Sequence, residues 1–176
     1  MKFLRYTFLG VLPLWLFTLS AAGKYQEVNY KSYSLLLHSF AKNIEWPDEQ
    51  LKSSFVYGIY GKSKLYDDLV LITRTKKVRH MPIEVRIINS PSEAASCEVV
   101  FVPASRSSSV SEINKAINGK PVLLVCERNG YCLKGAAISY SIDDQGALRF
   151  DVNTKTCASQ KLTLRPQLLQ MADRVY

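Results

Sequence analysis

The chain has 176 residues, 47% of them apolar, and a formal net charge of +8. That is one-domain length with enough apolar side chains for a single core, and it excludes a disordered or low-complexity chain. The charge excess is moderate and points to anionic surfaces in general rather than to one partner.

The N-terminus carries Lys2 and Arg5, an apolar run from Phe8 to Leu19, and the small residues Ser20, Ala21 and Ala22. This is the layout of a secretory signal, with cleavage expected after Ala22. It divides the chain into a signal peptide, 1–22, and a single exported domain, 23–176. An uncleaved anchor over Phe3 to Ala22 is the alternative, interrupted by Arg5, Gly10 and Pro13. Loss of Lys2 and Arg5 leaves 21 basic against 15 acidic residues, a balance of +6. Export argues against nucleic acid as a partner and leaves an anionic membrane surface or an acidic protein face.

The most strongly patterned stretch runs from Lys31 to Pro47. Tyr33, Leu36, Leu37, Phe40, Ala41 and Ile44 share one stripe of a 3.6-residue helix laid on a core, and Pro47 stops it. Lys31, Ser34, His38, Lys42 and Glu45 are expected on the outer side. Trp46 sits at the corner, either as a lid on the core or as an anchor in a partner interface or ligand crevice.

Farther along, Phe55 to Tyr60 reads as a buried strand ended by Gly61. Ser63 can cap a helix carrying Leu65, Leu69 and Ile72. The basic run Arg74 to His80 is either a solvated connection or a docking surface. Ile83, Val85 and Ile87 then alternate with Glu84 and Arg86 as a strand, and Asn89 to Ser96 is a connection with room for one helical turn. Glu98 to Val102 is an apolar strand. Ser109 to Glu112 is a capping box opening a helix that Gly119 ends. Pro121 to Val125, Ala136 to Ile142 and Leu148 to Val152 are further strands, the last two joined by a turn at Asp143 to Gly146. Leu162 and Leu164 suit a short strand, and Pro166 begins a final helix with Leu168, Leu169, Ala172 and Val175 inward. This order implies an α/β fold: a three-layer sandwich whose mainly parallel sheet is flanked by helices and edged by an antiparallel hairpin.

The four cysteines all lie in the exported part, where disulfides are the default. Cys126 and Cys132 bracket a turn at Asn129-Gly130, which favours pairing these two and leaves Cys97 with Cys157. Loop closure would contribute about 2.4 kcal/mol for the short bridge and about 4.3 for the long one. A redox centre fits less well, because oxidoreductases use Cys-x-x-Cys at a helix start. A strained or exposed short bridge would still be reducible and could act as a sensor.

No other constellation carries chemistry. Gly61-Lys62-Ser63 lacks the earlier glycine of a phosphate-binding loop, since that position is Val56. His38 and His80 stand apart without ligand-spaced partners, and no G-x-S-x-G elbow is present. The residues alone therefore describe a binding module with no catalytic residues, no metal and no cofactor.

Phe40-Ala41-Lys42-Asn43-Ile44-Glu45-Trp46-Pro47 resembles the F-A-K-x-x-E/T-W-P signature of the YfiR family of periplasmic regulators. The resemblance continues through Phe55 to Gly61, Cys97 before its strand, Gly135, Arg149-Phe150-Asp151-Val152-Asn153, and Leu168, Leu169 and Ala172. It implies a non-enzymatic repressor that binds the periplasmic domain of an inner-membrane diguanylate cyclase and restrains cyclic-di-GMP synthesis, and it marks Lys42, Glu45 and Trp46 as the candidate partner or ligand surface. A homodimer stays open. The chain departs from the family pattern at Arg165-Pro166-Gln167 and at Lys134 to Ala137, surfaces that bear on partner choice. The alternative function is a periplasmic small-molecule or redox sensor, its crevice at the carboxyl ends of the strands; a thiol-disulfide enzyme is a third reading.

Overall fold

The computed structural model describes residues 29–47 and 53–176; the expected signal peptide lies outside the described residues. Helix α1 spans Tyr30–Lys42, with the Asn29 side chain accepting the Ser32 amide. It ends at Asn43, short of Pro47. Ile44–Glu45 instead forms a short strand, β1, because its backbone pairs antiparallel with β9, Thr163–Leu164.

The rest follows as β2 (Phe55–Tyr60), α2 (Leu65–Thr73), β3 (Lys77–Val78), β4 (Met81–Ile88), α3 (Pro91–Ala94), β5 (Val99–Val102) and α4 (Val110–Ala116). After these come β6 (Leu123–Cys126), β7 (Ile138–Ile142), β8 (Leu148–Val152), α5 (Thr154–Ser159), α6 (Pro166–Met171) and β10 (Arg174–Val175). Eight strands form one sheet in the order β10-β8-β7-β6-β5-β2-β4-β3. Its centre, from β4 through β7, is parallel, whereas the β7–β8 hairpin and the β3–β4 hairpin are antiparallel. The mainly parallel sandwich with a hairpin edge expected from the strand order is therefore present.

Alternate residues of each strand feed two apolar layers. One layer packs Phe55, Tyr57, Val99, Phe101, Leu123, Val125, Tyr140 and Phe150 under α1, α2 and α6. The other packs Val56, Val100, Val102, Leu124 and Cys126 under α3 and α4. Burial on both faces explains the uninterrupted apolar runs of β2, β5 and β6.

Several expectations change. His38 and Ser34 are buried, whereas Leu35 is exposed, so the inner face of α1 is rotated toward α2. Ser109 does not cap α4: it already has helical dihedrals, because a 3-10 helix over Ala104–Ser109 runs directly into it. Helix α5 and strand β10 are additional elements. β10 extends the sheet beyond the hairpin, and its Val175 is exposed rather than inward.

The disulfide expectation is overturned. Cys97, Cys126, Cys132 and Cys157 are all free thiols and all buried. Cys97 belongs to the apolar layer beneath α3 and α4, whereas Cys157 belongs to the opposite layer, so the sheet itself separates them. Asn129-Gly130 does not close a hairpin; Gly130 takes a left-handed φ of 77° and leads into a 3-10 turn over Tyr131–Lys134. That turn aims the Cys132 thiol at the Asp151 carbonyl, 3.3 Å away, while Cys126 accepts the Arg128 amide at 3.5 Å. Cys97 serves packing: a side chain at Gly58 would place its Cβ only 2.7 Å from the Cys97 sulfur.

Burial pushes the thiols up, to about 11 for Cys132 and about 12 for Cys126 and Cys157. Thiolate is the reactive form, so these groups are held unreactive. A thiol-reactive chromophore should detect no rapidly reacting group in the native protein and all four after unfolding without reductant; missing thiols in the unfolded sample would contradict the packing described. Phe40→Ala should cost about 3–5 kcal/mol in denaturant unfolding, because its ring is fully buried, whereas Leu35→Ala should stay within about 0.5.

Candidate functional site

The segment following α1 forms one wall of a groove of about 450 Å³ lined by Ala41, Lys42, Ile44, Glu45, Trp46, Lys77, Val78, Arg79 and Arg165. Lys42, Glu45 and Trp46, singled out in the sequence, are brought together here. Trp46 packs edge-on against Phe55, with ring centroids 5.2 Å apart, and only 7% of its surface is exposed. The lid role thus describes most of the ring. Its buried Nε1 has no hydrogen-bond partner among the described residues.

Two other elements complete the groove, strand β9 and the β3–β4 hairpin. Strand β9 brings Arg165, whose amide donates to the Asn43 carbonyl at 3.1 Å and whose Nε meets Glu45 at 3.2 Å. Both side chains of this ion pair are about half exposed, so its contribution to stability is under about 1 kcal/mol. The β3–β4 hairpin brings Lys77 and Arg79. Its turn residues, Arg79 and His80, have φ of 50° and 69°, dihedrals that favour glycine or asparagine in such two-residue turns. Non-glycine residues there cost about 1–2 kcal/mol each. The turn sets Arg79 so that its Nη1 donates to the Trp46 carbonyl at 3.3 Å.

The groove lining is strongly cationic: Lys42, Lys77, Arg79 and Arg165 against the carboxylate of Glu45. Such a concentration of positive charge favours an anionic group or an acidic protein face. The groove lies beside Phe55, the first residue of β2, and the hairpin that begins β4. It is therefore at the amino ends of these strands, opposite the crevice expected at their carboxyl ends. The sequence singled out one wall only; Lys77 and Arg79 were visible as part of a basic run, and the positioning of Arg165 depended on the unforeseen β1–β9 pairing.

Beneath this wall, His38 Nδ1 lies 3.4 Å from the Tyr57 hydroxyl. Burial, followed by the charges of Lys76 and Lys42, lowers the His38 pKa and favours neutral imidazole. The structure thus assigns His38 an interior hydrogen-bonding position. Among the described residues, no group of three or more His, Cys, Asp or Glu side chains is placed to hold a metal ion. No described helix is long and apolar enough to cross a membrane.

A second polar constellation lies at the other end of the sheet. Arg174, Asp151, Ser139 and Cys126 are successive partners across β10, β8, β7 and β6. Asp151 is 1% exposed, and neither carboxylate oxygen has a hydrogen-bond partner among the described residues. Burial raises its pKa, opposed by the charge of Arg174 and assisted by that of Asp173. The folded state therefore holds the proton to higher pH than the unfolded chain, and stability falls as pH rises from the unfolded value through the folded one. Asp151→Asn should lose less stability than the wild type between about pH 3.5 and neutral pH, because it has no carboxyl group to ionise there. Unfolding curves at both pH values check the sign.

Comparisons with known proteins place the architecture in a wider group. No curated protein matches the chain significantly. A crystal structure of a conserved domain protein from Vibrio cholerae O1 biovar El Tor strain N16961 has 11% identity and a TM-score of 0.51, covering 84% of this chain and 60% of that one. The ABC domain in complex with L-Trp from Streptococcus pneumonia has 13% identity and a TM-score of 0.50, with the same coverages. The chain thus spans 60% of the length of either structure, and at these identities the likeness concerns the fold alone. A family model described as YfiR/HmsC-like matches residues 30–173, from the first residue of α1 almost to the C-terminus. The chain belongs to the YfiR/HmsC-like family of periplasmic regulators.

Proposed function

We propose that the protein is exported by cleavage of residues 1–22 and acts in the periplasm as a regulatory binding protein. Its partner is the periplasmic part of an inner-membrane diguanylate cyclase, whose cyclic-di-GMP synthesis it restrains. The observation that supports this reading is the cationic groove built around Lys42, Glu45 and Trp46 in a chain of the YfiR/HmsC-like family. A repressor of this kind needs a shaped, charged surface and no reaction of its own. It acts by binding one conformation of the cyclase more tightly, and a hundredfold shift in that equilibrium needs about 2.7 kcal/mol of differential affinity.

Within this proposal the groove receives an acidic face of the partner. Lys42, Lys77 and Arg165 are exposed, so reversing their charge leaves the core intact. Lys42→Glu combined with Lys77→Glu should weaken binding to the solubilised cyclase at least tenfold, keep the melting temperature within a few degrees, and raise cellular cyclic-di-GMP. Unchanged cyclase affinity would remove the groove from the interface. Failure of the wild-type protein to bind any membrane cyclase would remove the function itself.

A small-molecule sensor is the second reading. It is supported by the groove volume, which lies in the range of ligand pockets, and by the buried Trp46 Nε1, which has no hydrogen-bond partner among the described residues. Thermal shifts in the presence of inorganic phosphate or small carboxylates, abolished by Arg165→Glu, would favour it over a protein partner.

A further inference from the structure

His38 lies where both walls of the cationic groove begin. It stands one helical turn before Lys42 on α1, and the chain passes from Lys42 through Asn43 into the wall formed by Ile44, Glu45 and Trp46. The opposite wall starts at the end of α2. Thr73 is buried there and its hydroxyl donates to the Leu69 carbonyl at 2.6 Å, while the Lys76 amide donates to the Thr73 carbonyl at 2.9 Å. The connection is therefore short and fixed before Lys77 opens β3. Lys42 and Lys76, one at the root of each wall, are the cations whose charges bear on His38.

The site of the imidazole suits its neutral form alone. His38 is 6% exposed, and its Nδ1 lies 3.4 Å from the hydroxyl of Tyr57, itself fully buried on β2. Burial pushes the Tyr57 hydroxyl far up, so it keeps its proton and serves neutral imidazole as a donor. A protonated Nδ1 can no longer accept it. The groups facing the ring are then Tyr57 from β2, Lys42 from α1 itself and Lys76 from the segment after α2. None of these offsets a third positive charge.

We propose that His38 is an acid-operated latch: uptake of a proton releases the last turn of α1 from the α2–β3 connection and parts the two walls of the groove. Once the ring is exposed it binds the proton at the ordinary imidazole value of about 6.5, whereas the closed form holds it only at lower pH. Closure is therefore fully stable above about pH 6.5 and weakens as pH falls below it. The latch itself needs no partner. Its effect on binding rests on the groove being the surface that receives the cyclase, and acid then weakens the complex.

Hydrogen exchange on a single-histidine protein tests the latch. The chain has two histidines, and His80→Asn leaves His38 alone, at a turn position whose φ of 69° asparagine tolerates. In that protein the last turn of α1 and Lys77–Val78 should open more readily than β5 and β6. Corrected for intrinsic exchange, this local opening should rise about tenfold between about pH 7.5 and about pH 5.5. His38→Asn, made in the same background, keeps a neutral polar group toward Tyr57 and should remove the rise; Asp151 and the other carboxylates are common to both proteins and cancel. The ring signals of His38 in the NMR spectrum give a readout that does not depend on this second variant folding: in the closed form they should keep their neutral positions at about pH 5.5. Equal protection of α1 and the central strands, the same pH dependence in His38→Asn, or a ring that titrates near pH 6.5 with the fold intact would overturn the proposal. Cyclase affinity should fall with the closed fraction over the same interval and stay level in His38→Asn. Opening without that fall would separate the latch from partner binding, and absence of any cyclase binding would remove the partner while leaving the exchange result to decide the latch.

Discussion

The seating of α1 on the sheet through an aromatic cluster is the contact on which the rest of the structure depends. Tyr140, fully buried on β7, has ring centroids 4.7 Å from Tyr33, 5.8 Å from Phe40 and 6.2 Å from Phe101. Its hydroxyl donates to the Tyr33 carbonyl at 3.0 Å, and Phe40 also meets Phe150 edge-on at 4.8 Å. The hydroxyl lets an otherwise apolar cluster satisfy a backbone carbonyl within the core. These contacts fix the helix in translation and rotation, and so determine where Asn43 to Trp46 emerge. β1 can pair with β9 only from that position, and the pairing brings Arg165 beside Glu45. The groove is therefore a consequence of core packing, with its charged rim added afterwards.

Periodicity revealed the elements that are long or uniformly apolar. Phe55–Tyr60 and Leu148–Val152 have the boundaries their patterns imply, because branched and aromatic runs flanked by turn residues leave few alternatives. Some short elements were invisible for a physical reason. β1, β3 and β10 have two residues each, too few to show a period, and exist because a neighbouring backbone is in reach. The face of α1 was legible only approximately. Ser34 and His38 look solvent-facing by composition, yet α2 covers that side and the Tyr57 hydroxyl gives His38 a partner. Tertiary context overrode residue type.

The cysteines show the limit of reasoning from compartment. An even count in an exported chain favours disulfides only if the fold brings pairs together, and loop length contains no information about which side of a sheet a residue faces. Cys97 and Cys157 lie in different layers, and Cys132 is turned toward the β7 and β8 backbone. Buried thiols act here as small apolar side chains with weak hydrogen bonds. Asp151 is the converse, a buried polar group whose oxygens lack hydrogen-bond partners among the described residues. Its cost is tolerated in a sheet that already has two extensive apolar layers.

The β3–β4 hairpin ties the groove to the main sheet. Its turn carries Arg79 and its first strand Lys77, both in the groove, while its second strand pairs with β2 from Ile83 onward. A group seated against Lys77 and Arg79 is therefore held by an element anchored in the parallel centre of the sheet. Arg79 and His80 take positive φ of 50° and 69°, and the Arg79 guanidinium donates to the Trp46 carbonyl at 3.3 Å, which joins the turn to the segment after α1 across the groove.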